Sequence, residues 1–234
     1  MSAAFTDRFT KLSFPNLGLV RFPRVKLAPE QFAAVGLKPD ATVLQYLKQL
    51  SWAGYLAKEK AGLFPHVTRT DATARLKLEF EVFEKTGTLG YILLIYDILQ
   101  WCDKNNIPRG PARGSCAASF AFYCLDVTKI DPIRFGLTFT RFISEARVKP
   151  KLIGGEIYAD GKMVMDVDID ISYIDRARVI DYVKATFGGA ACGICTMLTL
   201  SSKIAIKDAV KVYLGYDEGE DKRVSDWVEA RFGK

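Results

Sequence analysis

Between Met163 and Ile171 the chain alternates apolar and acidic residues, Met163-Val164-Met165-Asp166-Val167-Asp168-Ile169-Asp170-Ile171. A period of two predicts a β-strand, with the three aspartates on one face and Val167, Ile169 and Ile171 on the other. A second alternating run, Leu152–Tyr158, precedes it. Ala159-Asp160-Gly161-Lys162 lies between the two, and Asp-Gly in that setting predicts a hairpin turned at Asp160-Gly161. Elsewhere the pattern is helical. From Asp40, which reads as an N-cap, Val43, Leu44, Tyr46, Leu47 and Leu50 form a stripe. Asp71 reads as the cap of a second helix, with Leu76, Leu78, Phe80, Val82 and Phe83 apolar and an end near Gly87. Gly90 to Asn105 is apolar enough to predict a largely buried helix. The turn-rich loop from Ile107 to Ser115 leads into an apolar helix through Ala117–Leu125. Asp131-Pro132 marks a turn, and Leu137–Ile143 runs into a basic stretch from Arg141 to Lys151. From Asp175 a helix is expected to Phe187-Gly188-Gly189, with further helices beyond. Residues 1–40 are interrupted by Pro15, Pro23, Pro29 and Pro39 and predict an irregular or short-stranded arm. The expected class is α+β, divided into the arm (1–40), a mixed region (41–187) and a helical region (188–234).

Composition narrows this picture only a little. The chain has 234 residues, 49% hydrophobic and 26% charged, which suits a folded protein with one good core or two small ones. A net charge of +6 suits a polyanionic partner without selecting one. Leu89–Leu99 is the nearest approach to a membrane span, and Asp97 interrupts it, so no membrane association is expected. Asp7, Arg8 and Lys11 break up any leader-like segment, which makes the cytoplasm the expected compartment. The five cysteines sit in apolar contexts. Cys192-Gly-Ile-Cys195 has the spacing of a redox pair or half a zinc site, but no second pair completes it and His66 is the only histidine. Reduced, packed cysteines are the expected state.

The acid row carries the first chemistry. Neighbours on one face of a strand stand roughly 6–7 Å apart. At an effective dielectric of about 20, two such charges repel by roughly 2 kcal/mol. A divalent cation turns that cost into a gain. The second feature is Arg113-Gly114-Ser115. Glycine before serine at a helix start lets backbone N–H groups approach an anion, and the arginine supplies countercharge. Alone, such a turn is more often a cap than a ligand site. A Gly-Ser turn followed by a strand bearing Asp-apolar-Asp, however, is the layout of a nucleotidyltransferase site. There the turn holds nucleotide phosphates, and the carboxylates hold two metals.

Gly110-Pro111-Ala112-Arg113-Gly114-Ser115-Cys116-Ala117-Ala118-Ser119 resembles the glycine-rich Gly-Pro-Gly-Arg-Gly-Ser block of bacterial replicative DNA polymerase III alpha subunits, the C family. The same order of further motifs follows. Thr128-Lys-Ile-Asp131-Pro132, the run from Leu137 to Arg147 and the row Asp166–Ile171 each resemble a family block, and Leu76–Trp101 resembles the helices ahead of them. The likeness covers roughly residues 60–230. It implies a polymerase-beta-like nucleotidyltransferase palm, a small mixed sheet with flanking helices, over 41–187, and a partial helical thumb over 188–234. By this resemblance Asp166 and Asp168 are the catalytic, metal-binding aspartates and Asp170 a third, supporting metal acid. Arg113, Gly114, Ser115 and Arg141 face the incoming nucleotide, and Lys203 and Lys207 contact DNA. The implied cofactor is a pair of Mg²⁺ ions, with Mn²⁺ as a substitute. The implied substrates are a DNA template-primer and dNTPs.

This sequence departs from the family pattern at several points. Ala112 and Ala118 stand where the family usually has glycine, Met165 replaces a proline, and residues 150–164 form an insertion. The family's phosphoesterase-like domain, its fingers and its third catalytic aspartate are not expected here. Activity in isolation is therefore not expected either. A second polypeptide supplying fingers and the missing aspartate is the leading expectation, in a bacterial or phage-infected cell. The alternative is an inactive palm-derived module that binds DNA or another replication protein.

Overall fold

The structure is a computed structural model. It describes residues 18–188 together with Ala191, residues 204–206 and 208–209, Val212, Asp226 and Ala230. The backbone separates into two compact units, Met1–Thr186 and Phe187–Lys234. The fold is α+β. The elements run β1 (Leu19–Arg21), α1 (Pro29–Ala34), α2 (Val43–Lys60), α3 (Arg69–Lys85), α4 (Leu89–Lys104) and α5 (Phe120–Cys124), then β2 (Lys151–Ile153), β3 (Glu156–Asp160) and α6 (Arg176–Phe187). Two 3₁₀ turns, Gly114–Ala118 and Phe139–Arg141, flank α5. In the second unit, residues 204–206, 208–209, Val212, Asp226 and Ala230 are helical. Lys203, Lys207, Cys192 and Cys195 lie outside the described residues.

Short side chains set the helix starts. Thr42, rather than Asp40, caps α2. Its hydroxyl accepts from the Gln45 N–H at 3.2 Å, and the Gln45 side chain accepts from the Thr42 N–H at 2.8 Å. Thr68, rather than Asp71, caps α3, accepting from the Asp71 N–H at 3.1 Å. In both cases the capping threonine lies three residues ahead of the N–H from which it accepts.

The core surrounds α5. Its five residues, Phe120-Ala121-Phe122-Tyr123-Cys124, are all buried. Rings from the loop after α2, from α3 and from the end of the Phe139 turn close around it: Phe64 lies 5.6 Å from Phe120, Phe83 stacks on Phe122 at 6.0 Å, and Phe142 meets Phe122 edge-on at 5.2 Å. Gly54 of α2 lets that helix touch α5 backbone to backbone, since a Cβ there would fall 2.0 Å from the Cys124 carbonyl oxygen. The expected continuous helix through Ala117–Leu125 is broken at Ser119. That residue is extended, and its hydroxyl caps α5 by accepting from the Phe122 N–H at 3.2 Å.

A buried helix start needs acceptors for its free N–H groups. Glu79 of α3 provides them. It is fully buried and accepts from Ser119 Oγ at 2.8 Å, Phe120 N at 2.9 Å and Ala121 N at 3.0 Å. Arg75, one turn earlier, donates to Glu79 at 2.6 Å, and its Nη2 reaches the carbonyls of Ala118 (3.0 Å) and Leu137 (3.4 Å). Burial pushes the Glu79 carboxyl pKa up; the Ala121 and Phe120 N–H groups and then Arg75 pull against it. Leu78, expected on the apolar face of α3, is 49% exposed, and Glu79 takes the inward position instead.

The sheet is antiparallel, in the order β1-β3-β2. Its hairpin turns at Gly154-Gly155, both with positive φ, and not at the expected Asp160-Gly161. Asp160-Gly161 instead ends β3. Gly161 N bonds to the Gly18 carbonyl at 2.9 Å and Met163 N to that of Asp160 at 2.9 Å, which closes a turn beside β1. The second half of the predicted hairpin is thus displaced from the sheet. Residues 165–172 form no regular strand and make two isolated antiparallel bridges, Arg113↔Asp168 and Arg109↔Ile171. Among the described residues no helix is long and apolar enough to cross a membrane.

Candidate functional site

The acid row lies along the glycine-rich loop. Two elements bring them together. The acidic segment buries its apolar positions, with Met165 4% exposed and Val167 and Ile169 packed on the core, and the alternate positions are turned outward. Asp166 and Asp170 are exposed and Asp168 is half-buried. The loop then pairs with this segment. Gly110 N donates to the Asp170 carbonyl at 2.8 Å, Arg113 bridges Asp168, and Ser172 N donates to the Pro108 carbonyl at 3.3 Å. Arg109 fixes the near end of the loop: its guanidinium holds Asp103 through two bonds of 2.8 and 2.7 Å and donates to the Val127 carbonyl at 3.3 Å.

Both loop glycines are set by the acids. A Cβ on Gly110 would stand 3.0 Å from Asp170 Cβ, and one on Gly114 would stand 3.0 Å from Asp168 Oδ2. Gly114 also has φ +68°, a left-handed conformation that costs an L-residue about 1–2 kcal/mol. Gly114→Ala is therefore expected to lower stability by about 1–2 kcal/mol in urea unfolding and to push Asp168 off the loop.

Gly114-Ser115 opens a five-residue 3₁₀ turn, not the α-helix expected from sequence. Beyond it lies an open cleft of about 380 Å³ lined by Gly114, Ser115, Ala117, Ala118, Gly136, Leu137, Thr138 and Arg141. The structure thus gathers Gly114, Ser115 and Arg141 around one cleft, with Asp168 against its glycine wall. Arg113 is turned toward the acids: its Nη1 lies 3.3 Å from Asp170 Oδ1, with both side chains more than half exposed. An exposed pair of this kind contributes little to stability.

Two side chains near the row had no signal of their own in the sequence. Burial first, and then the Asp166 carboxylate, raise the Tyr91 phenol above its usual range, with Cys116 and Asp168 adding to the effect. Cys116 is buried and donates to the Arg113 carbonyl at 3.0 Å. Tyr91 is one of several apolar residues on α4, and only the position of that helix beside the row reveals it. Cys102, Cys116 and Cys124 are free and buried.

No cluster of three or more histidine, cysteine or acidic side chains is arranged to hold a metal among the described residues. The donor chemistry is nevertheless suited to Mg²⁺. That ion takes one or two carboxylates and completes its shell with water and substrate phosphate oxygens, so it does not need an all-protein cage.

Comparison with known proteins fits this arrangement. Residues 45–234 match the family described as the bacterial DNA polymerase III alpha NTPase domain. DNA polymerase III subunit alpha of Haemophilus influenzae is 37% identical over 195 residues, 81% of this chain and 15% of that protein. The Pasteurella multocida subunit is 37% identical over 161 residues (68% and 13%), and that of Aquifex aeolicus 31% over 174 (74% and 14%). The chain belongs to the bacterial DNA polymerase III alpha NTPase domain family. It spans about a seventh of the length of these curated relatives.

Proposed function

We infer that this chain is the palm of a template-directed DNA polymerase, adding deoxynucleoside triphosphates to a primer once a second polypeptide supplies fingers and a further catalytic aspartate. The observation that carries the reading is the Arg113↔Asp168 bridge, which sets the acid row directly against the Gly114-Ser115 turn. In this reading the backbone N–H groups of Gly114 and Ser115 and the Ser115 hydroxyl receive the phosphates, and Arg141 adds positive charge from across the cleft. Asp166 and Asp168 hold divalent ions, and Asp170 supports them. Mg²⁺ bound there would polarise phosphoryl oxygens and neutralise charge on the leaving pyrophosphate. Arg113 now neutralises Asp170, and an arriving triphosphate competes for the same guanidinium. Lys203 and Lys207 are assigned to the DNA backbone, and the cytoplasm is the proposed compartment.

Thermal melting with Mg²⁺ or Mn²⁺ tests the metal part. The ion is expected to raise the melting temperature, since it binds only the folded chain, by about 2.7 kcal/mol of added stability at a hundredfold excess over its Kd. Asp166→Asn is expected to remove most of the shift. No shift in the unaltered chain would remove the basis for catalysis. DNA binding that ignores both metal and Asp166→Asn would then favour a module that binds without reacting.

A further inference from the structure

The outer face of the sheet carries a grouping that the acid row does not use. In the register of the three strands, Arg21 of β1, Tyr158 of β3 and Lys151 of β2 stand abreast. Ile157 packs on the core and Ala159 is fully buried, so alternation turns Tyr158 and its two cross-strand neighbours to the opposite face. Tyr158 is half-buried there, and Arg21 and Lys151 are exposed. Adjacent strands lie about 4.8 Å apart, so the backbones of Arg21 and Lys151 flank that of Tyr158 at roughly that spacing on each side.

The charges on this face are unevenly spent. Its acids are engaged: Glu156 pairs with Arg24 at 3.2 Å, and Asp160 Oδ1 accepts from the Lys162 N–H at 2.9 Å. Arg21 and Lys151 form no ion pair among the described residues. Lys149, also exposed, extends the positive rim past β2. Cations on edge strands commonly serve to block edge pairing, which would explain Arg21 and Lys151 singly. Edge protection does not explain an aromatic ring on the central strand between them.

We propose that this row is a binding surface for single-stranded nucleic acid, with a base stacked on Tyr158 and backbone phosphates held by Arg21 and Lys151. Stacking tolerates any base because every base has a π-face, and the cations gain by releasing counterions from the phosphates. A duplex offers no free base face, so the ring selects a single strand. The surface is independent of the proposed polymerase site.

Fluorescence anisotropy of a labelled oligothymidylate on the full chain tests this. Tyr158→Ala is expected to weaken binding about 5- to 150-fold, the range for loss of one stacked base. Tyr158→Phe keeps the ring and is expected to bind within about 2-fold of the unaltered chain. Arg21→Glu and Lys151→Glu are exposed changes that carry the test even if Tyr158→Ala does not fold. Each is expected to weaken binding and to flatten the dependence of log K on log salt by about 0.7. Binding unchanged by Tyr158→Ala or by the two charge reversals would overturn the proposal. So would equal affinity for a duplex, competition by polyglutamate as strong as by oligothymidylate, or no binding by the unaltered chain. The metal-dependent melting shift is expected to survive Arg21→Glu and Lys151→Glu, which separates failure of this surface from failure of the polymerase reading.

Discussion

Replacing Glu79 with alanine is expected to cost about 3–5 kcal/mol in urea unfolding, the range for removing one partner of a buried ion pair. The loss has three parts. The N–H groups of Phe120 and Ala121 lose their acceptor inside the core, and the Ser119 hydroxyl, which still accepts from the Phe122 N–H, loses the acceptor for its own proton. Arg75 keeps its positive charge, with a quarter of its side chain exposed and no carboxylate beside it. The packing of α5 then loosens, because that helix is buried along its whole length. Glu79→Gln keeps one acceptor oxygen and is expected to fall between the two. An alanine variant as stable as the unaltered chain would show that α5 holds its place by apolar packing alone. The consequence reaches the candidate site, since the Gly114–Ala118 turn runs directly into the segment that Glu79 and Arg75 hold.

On the proposed polymerase reading, Asp168→Ala is expected to lower primer extension by the assembled polymerase by a factor on the order of 10³, while the fold survives. The two halves of that prediction have separate grounds. Asp168 is half-buried and makes its bridge to Arg113 through the backbone, so truncating the side chain leaves the pairing intact. Its carboxylate is also the one nearest the glycine wall of the cleft. Extension at an undiminished rate, with circular dichroism unchanged, would remove Asp168 from the reaction. Asp170→Ala is the informative control. It frees Arg113 without emptying the Asp166–Asp168 pair, so its effect is expected to be much smaller.

The alternation from Met163 to Ile171 made the facing of the acid row legible in the sequence, because burial of one face imposes a period of two whatever the partner. What the period does not encode is who takes the backbone hydrogen bonds. Here the partner is the glycine-rich loop, more than fifty residues away, and it offers only isolated bridges. The hairpin was misplaced for a related reason. Gly154-Gly155 and Asp160-Gly161 are both sound turn signals, and the choice falls to β1, which pairs with Glu156–Asp160 from the other side. Glu79 was invisible as a core residue because a carboxylate on an amphipathic helix ordinarily faces water. Its only trace was Arg75 one turn earlier, a spacing that surface pairs share. Ordered motifs pointed to the row and the turn together, whereas Tyr91 and Arg109 needed the packed chain to bring them forward.

The pairing of β1 with β3 joins segments separated by well over a hundred residues. A ribosome adding about 5–20 residues per second releases the first of them roughly 7–27 seconds before the second. Throughout that interval β1 is an unsatisfied edge beside Phe22, which is buried in the finished protein. The sheet is therefore a late event of biosynthesis, and the nascent chain must carry its first strand unpartnered until the Gly154-Gly155 turn has left the exit tunnel.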